Sequence, residues 1–461
     1  MKTSFPDRRS LYRHIEREVL DLATTALAGL GSKQGLAFRR GVGAAPLFVG
    51  YALFIAEQSL IDEVDRLYFF TREGEFFQRV FQEVLPSARL ANQSLPGSSL
   101  LEVSRLATFS PSLRAASIEE MMRLWSLYDS QSIFALARSL GLDPTVLDSV
   151  CARQAIPLDE PIVQPWQDAR VNRLFQDPDF IRILSDKIGS DRQAALAYFR
   201  EQGLTGGCGP IGVIDIGWRG TIQDNLAIML PQQRFIGYYL GLQRFLNPQP
   251  PNGVKRAYGP NANRDLLFSH LLDAVSPMEM LCNSPLGSVM GYRFEHGHPR
   301  AWRLTYPIEN SSHAQVVGHF QNGALFACRH WAPYVESHAI RSGELREKAC
   351  HLWRNLIERP DRQIAEAYAA LNHNDVFGVG AFVDKRVVPS QRSMVRGFFS
   401  ASDRRAVILF IKQTQWASGL WHRSDLSHQH RAMLISALLA GRAYKRARMW
   451  MHYHRVTKRR R

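Results

Sequence analysis

Apolar positions recur at helical spacing between Leu11 and Leu30 (Ile15, Val19, Leu20, Leu22, Leu27), and the glycines from Gly29 to Gly35 predict a stop. Ala44–Ile61 predicts a second, more apolar helix. The pattern then changes. Arg66–Thr71, RLYFFT, has no helical period and predicts a short buried strand, broken by Arg72-Glu73-Gly74. Phe76, Phe77, Val80, Phe81 and Val84 restore helical spacing over Glu75–Val84, and Leu100–Val103 predicts a second strand leading directly into Ser104-Arg105.

The stretch Ser117–Asp191 is polar, helical and weakly patterned, with Pro157, Pro161 and Pro165 inside it, and reads as an insertion. Gln193–Gln202 predicts a helix ending at Gly203. After the glycines Gly206–Gly209, Ile211–Asp215 is strongly strand-like, Ile216–Thr221 turns the chain, Ile222–Met229 continues as helix, and Arg234–Leu242 predicts another buried strand. Strand, short turn, helix and strand again is the order of a parallel α/β sheet. Met278–Leu281 predicts a helix ending in the polar turn Asn283–Gly287, and beyond about Tyr292 the pattern is mainly helical.

The expected fold is therefore α/β: a mainly parallel, Rossmann-like sheet flanked by helices, with a helical insertion and a helical C-terminal region. The expected divisions are an N-terminal helical region at 1–62, the α/β core at 63–300 with the insertion at about 117–191, a helical region at 301–426 and a basic tail at 427–461. No internal repeat or low-complexity segment is visible.

Charge changes this picture at one end only. The 461 residues carry 57 Lys+Arg against 42 Asp+Glu, a formal net charge of +15. From His428 onward there are ten Lys/Arg and no Asp or Glu, so the tail holds +10 of it. Such a segment, with Met449, Trp450, Met451 and Tyr453 among its cations, suits an anionic membrane surface. Nucleic acid is the competing ligand, but no nucleic-acid-binding fold is recognisable before the tail and none is expected. The five cysteines are scattered without a CxxC pair, which fits a reducing compartment and argues against a disulfide framework or a zinc ribbon. Met1–Arg9 is not followed by an apolar stretch, so no signal peptide is expected. Val42–Ile61, the most apolar run, is interrupted by Glu57 and Gln58 and reads as a buried helix rather than a membrane span. The expected location is cytoplasmic, at the inner face of a membrane. The histidines, such as His296, His298, His313 and His319, have no HExxH or similar ligand spacing and are expected to pack or lie at the surface.

In open parallel sheets, ligands bind where strands end and helices begin, and two such junctions carry unusual residues. At Thr71-Arg72-Glu73-Gly74, Arg72 is placed to clamp an anion, and Gly74 permits a turn exposing backbone N–H groups at a helix N-terminus. At Asp215-Ile216-Gly217-Trp218-Arg219-Gly220-Thr221, the two glycines allow the backbone to curl around a phosphate. Thr221 is suited to cap the next helix, where Gln223 follows, while Trp218 and Arg219 are expected to be exposed. Asp215 is suited to sugar hydroxyls or to a Mg²⁺ held by phosphates. This is neither a P-loop nor a GxGxxG fingerprint. Ser104 and Arg105 offer a further clamp. Glu279, between Met278 and Met280, needs either solvent or a role in the cleft.

The two junctions together resemble the layout of type I phosphoribosyltransferases, with Arg72–Gly74 in place of the pyrophosphate loop and Asp215–Thr221 in place of the 5-phosphate loop. Residues 40–300 resemble, more closely, proteins of bacterial polysaccharide gene clusters that are often labelled hydrolases of the haloacid dehalogenase superfamily. The segments that carry the resemblance are YFFTREGEFFQRVF (68–81), LEVSRLATFSPSL (101–113), IGVIDIGWRGTIQDNL (211–226), GYYLGL (237–242) and MEMLCNSPLGSVMGY (278–292). The phosphatase domain that gives those proteins their label begins with a DxDxT/V motif, which this sequence lacks. Where the family usually has Arg-Asp-Gly, this sequence has Arg72-Glu73-Gly74.

The resemblance, joined to the two junctions, implies a glycan phosphoribosyltransferase. It would move 5-phosphoribose from phosphoribosyl diphosphate to a sugar of a lipid-linked, cell-surface polysaccharide (O-antigen or capsule), with a separate phosphatase removing the 5-phosphate. Asp215, Glu73 and Glu279 would then be catalytic, with Asp215 also the magnesium ligand. Thr71, Arg72, Gly74, Ser104, Arg105, Gly217, Trp218, Arg219, Gly220, Thr221 and Gln223 would bind substrate. The alternatives are a sugar-phosphate hydrolase and a non-catalytic scaffold of polysaccharide assembly.

Overall fold

In the computed structural model, residues 7–207, 209–264, 267–305, 307–375, 381–384, 388–413 and 416–458 are described. Cys208 and the last three arginines of the tail lie outside them, as do the side chains of residues 442, 445, 446 and 448–458, among them Met449, Trp450, Met451 and Tyr453. The chain begins with α1 (Arg8–Ala26) and α2 (Ser32–Ile61). Next come β1 (Arg66–Phe70), α3 (Glu73–Val84), β2 (Gly97–Leu101) and α4 (Arg105–Ser112). After the insertion follow α5 (Pro178–Glu201), β3 (Ile211–Trp218), α6 (Thr221–Met229), β4 (Phe235–Leu242) and β5 (Gly253–Ala257). Then α7 (Ser276–Cys282) leads to a hairpin of β6 (Ser288–Glu295) and β7 (His298–Leu304), and to α8 (Gly318–His338) and α9 (Ser342–Glu358).

The five strands β1 to β5 form one sheet in the order β2-β1-β3-β4-β5, every neighbouring pair parallel. Alternation assigns the two faces. Leu67 and Phe69 of β1 point into a core shared with α1, α2, α3, α8 and α9, while Tyr68 and Phe70 point into one shared with α5, α6 and the β6–β7 hairpin. The result is a parallel sheet sandwiched between helical layers. Each of these aromatic side chains is at most 1% exposed, and burial of that extent stabilises by about 1.5–3 kcal/mol per residue.

Several expectations change. The glycines at 29–35 end α1, but α2 starts again at Ser32 and runs 30 residues. It is long and apolar enough to cross a membrane, yet 72% of its most apolar window is buried in the protein, which makes it the central helix of the core. Gly41 of α2 and Gly323 of α8 let the two backbones touch: a Cβ at either would lie 1.8–2.0 Å from a carbonyl oxygen of the other helix. The regions 1–62 and 301–358 therefore share one core with the sheet rather than standing apart. The insertion does have its own hydrophobic cluster, from Phe109 to Ile188, but its far boundary is not at 191, because α5 runs unbroken from Pro178 through that position. Strand β2 is Gly97–Leu101 rather than Leu100–Val103. Past Tyr292 the chain is not yet helical but completes the β6–β7 hairpin, whose alternation is partly hidden by exposed Phe294, Trp302 and Leu304.

Candidate functional site

From β1 the chain moves outward to β2 on one side, then returns to β3 on the other. The carboxyl ends of β1 and β3 thus flank the point where the strand order reverses, the place where open α/β sheets form a crevice. Phe69 of β1 is in register with Ile214 of β3, which sets Asp215 one step before the edge and Arg72 just beyond it on the adjacent strand, with strands about 4.8 Å apart. The two junctions singled out in the sequence are neighbours.

The β1 junction is held from both sides. Thr71 Oγ1 donates to the Val103 carbonyl at 2.9 Å and accepts from the Val103 N–H at 3.1 Å, tying the exits of β1 and β2 together. Its hydroxyl is therefore committed to the fold and not to a ligand. The Thr71–Arg72 peptide is cis. Arg72 donates through Nε to Asn283 Oδ1 (2.7 Å) and through Nη1 to Ser288 Oγ (2.9 Å), with Glu309 Oε1 at 3.8 Å. Two neutral acceptors fix the guanidinium, and the Glu309 carboxylate pairs with it at longer range. Gly74 is not a turn residue: it lies in the first turn of α3, where a Cβ would stand 2.9 Å from the Phe69 carbonyl carbon. The glycine is needed for close packing of helix on strand. Ser104 caps α4, accepting from the Ala107 N–H at 3.0 Å and donating to the Val289 carbonyl, so its hydroxyl is also occupied.

At the β3 junction the glycines do what their sequence positions suggested. Gly217 has φ +119°, and a Cβ there would lie 2.1 Å from the Gly241 carbonyl oxygen. Gly220 has φ +64° and caps α6 with no side-chain bond. Thr221 is the first helical residue and not the cap. Trp218 and Arg219 are half-buried, not exposed. The indole of Trp218 donates to Glu279 Oε1, and its ring lies 6.0 Å from that of Trp353. Arg219 donates from Nη1 to Gln243, while its buried Nε has no hydrogen-bond partner. Gln223 is fully buried under the sheet, bonded to the Phe235 and Val254 carbonyls and to the Tyr239 hydroxyl, so it belongs to the architecture.

What the crevice gathers is a set of charges. Glu279 is the one residue of α7 that is not buried, and it faces the sheet edge. Burial, together with the negative charges of Glu73 and Glu279, pushes the Asp215 carboxyl up to about 8, against the opposing effect of its bond from the Ile216 N–H (2.8 Å) and of Arg105. Burial likewise raises Glu73, partly offset by Arg72 and Arg105. Burial and the nearby Arg105 lower the Arg219 guanidinium. Among the described residues, neither Glu73 nor Asp215 is in an ion pair. A strongly raised carboxyl such as Asp215, without an ion-pair partner, marks a working site more often than a structural one.

Sequence reasoning missed Gln243, Asn283 and Ser288, which orient Arg219 and Arg72. Gln243 directly follows β4, Asn283 caps the C-terminus of α7 and Ser288 opens β6, and only the Asn283–Gly287 turn gave any local signal. The donor set does not build a magnesium site by itself. Among the described residues no three His, Cys, Asp or Glu side chains converge on one point, and a carboxyl that keeps its proton at neutral pH is a poor ligand for a hard cation. No family model matches this chain, and no curated protein matches it.

Proposed function

We propose that this crevice binds phosphoribosyl diphosphate and transfers its 5-phosphoribosyl group to a sugar hydroxyl of a lipid-linked, cell-surface glycan. The observation that carries the reading is the meeting of Arg72, Arg105 and Arg219 with Glu73, Asp215 and Glu279 at the switch point of a parallel sheet. Guanidiniums suit the diphosphate and the 5-phosphate. Carboxyls with raised pKa suit the ribose hydroxyls and the proton that the acceptor must lose.

In the reaction the bond from the ribose anomeric carbon to the diphosphate oxygen breaks, and a bond from that carbon to the acceptor oxygen forms. Arg72 is held by Asn283 and Ser288 at the β1 end, where it stabilises charge developing on the departing diphosphate. Asp215, protonated up to about pH 8, donates a hydrogen bond to the pentose. Glu73, its carboxyl raised by burial, takes the acceptor's proton. Glu279 is held by the Trp218 indole, facing the other two carboxyls. Any magnesium ion would enter bound to the diphosphate. A separate phosphatase of the haloacid dehalogenase type would then remove the 5-phosphate, the work being done in the cytoplasm at the inner face of the membrane.

The test is incubation of the purified chain with phosphoribosyl diphosphate, Mg²⁺ and a lipid-linked acceptor, with pyrophosphate release as the readout. Arg72→Ala is expected to weaken donor binding roughly ten- to a hundredfold, and Asp215→Asn to lower turnover roughly a hundred- to a thousandfold. Absence of both pyrophosphate release and calorimetric donor binding rejects the reading. Normal glycan output in cells carrying both substitutions points to the scaffold role.

A further inference from the structure

The region after residue 388 forms a small helical unit with α10 (Gln391–Arg396), α11 (Ala401–Gln413) and α12 (His428–Lys458), around a core of Phe410, Leu420, Leu426, Leu434 and Ile435. At its α10–α11 turn, Phe398 is 80% exposed and Phe399 91%, with Val395 beside them at 55%. No other phenylalanine among the described residues is so exposed, and the backbone here is well tied. Gly397, Phe398, Phe399 and Ser400 donate to the carbonyls of Ser393, Val395, Arg396 and Arg396 respectively, and Ser400 Oγ accepts from the Asp403 N–H. The turn holds two large apolar rings in water, at a cost that nothing among the described residues offsets.

The charge around the rings identifies what covers them. Arg392, Arg396, Arg404 and Arg405 are all exposed, and the only acidic residue between 391 and 405 is Asp403, which lies 3.4 Å from Arg396. The helix packed on this pair, α12, belongs to a segment carrying ten Lys/Arg and no acid. Apolar rings rimmed by cations match the boundary of an anionic bilayer, where the rings enter the acyl region and the cations meet lipid phosphates. A nucleic acid would use the arginines but leaves two adjacent, exposed phenylalanines without a groove to fill.

We propose that the α10–α11 turn is a membrane wedge: Phe398 and Phe399 insert into an anionic lipid surface, and the arginines on either side hold it there. The proposal stands on this turn alone and does not depend on the chemistry of the sheet-edge crevice.

The experiment is vesicle flotation of the full chain, with vesicles of phosphatidylcholine alone and of phosphatidylcholine mixed with phosphatidylglycerol. The chain is expected to float with the anionic vesicles and not with the neutral ones. Phe398→Ala with Phe399→Ala is expected to reduce partitioning roughly ten- to a hundredfold, at an unchanged thermal melt, since neither ring packs in the fold. Conversion of both to Trp is expected to retain binding, as interfacial aromatics do. Unchanged flotation of the double alanine variant overturns the wedge, as does flotation with neither vesicle. Retention of the chain on a single-stranded oligonucleotide, without flotation, overturns it in favour of nucleic acid.

Discussion

Asp215 and Asp224 lie nine residues apart on one strand–turn–helix segment, and both are largely buried. Their surroundings differ in one respect. Asp224 faces the Lys255 ammonium at 2.6 Å, which also donates to the Arg219 carbonyl and lies 4.7 Å from the Phe245 ring centroid. Burial still raises Asp224, but Lys255 and Arg123 limit the rise to about 6. Asp215 has no cation in contact and looks instead at Glu73 and Glu279, which carries it to about 8. One carboxylate is part of the scaffold that braces the turn from below. The other is left in an unfavourable setting among like charges, and on that setting the proposed function rests.

The sharpest way to break the contrast is to make Asp224 resemble Asp215. Lys255→Met leaves a buried carboxylate alone, and the expected loss is about 3–5 kcal/mol, read from the urea midpoint at unchanged slope. Adding Asp224→Asn should restore part of it. If Lys255→Met costs nothing, the pairing is not structural.

A second prediction concerns the pH dependence that Asp215 imposes. Below about pH 4 the carboxyl is protonated both folded and unfolded, and its full contribution to stability is present. As pH rises above that, the unfolded chain releases the proton while the folded one retains it, so stability falls until about pH 8 and is level beyond. Asp215→Asn should remove that decline, a gain of a few kcal/mol at pH 8 by denaturant titration. The opposite result, a stability loss at pH 8, would mean that Asp215 is braced as Asp224 is.

The smallest effect expected is from Glu73→Gln. Removal of one like charge lowers the Asp215 pKa by about one unit or less, visible as an acid-ward displacement of its carboxyl ¹³C titration. A shift in the other direction would show that Glu73 carries no negative charge near Asp215.

Strand-like runs at 66–71, 211–215 and 234–242 were legible because buried parallel strands are short apolar stretches, and the apolar face of α3 was legible from its period. The glycine curl at 217–220 was also legible, since only glycine occupies φ +119° against a neighbouring carbonyl without strain. Strand β5, with its partly exposed GVKRA, and the β6–β7 hairpin carried no such contrast. Reading side chains one by one also misled. Thr71, Ser104 and Gln223 are polar at the right places in the chain, yet their hydrogen bonds are used inside the fold, and Gly74 serves packing rather than turning.

Local sequence thus determined which segments are strands, where their ends carry Arg72 and Asp215, and that the basic charge gathers at the tail, because period and backbone permission are properties of adjacent residues. Strand order was decided only in three dimensions. It places β1 against β3 across 140 residues of chain, converts two ordinary junctions into one crevice, and leaves Asp215 among like charges while giving Asp224 its lysine. Electrostatic environment is set by distance through space, and distance along the chain does not specify it.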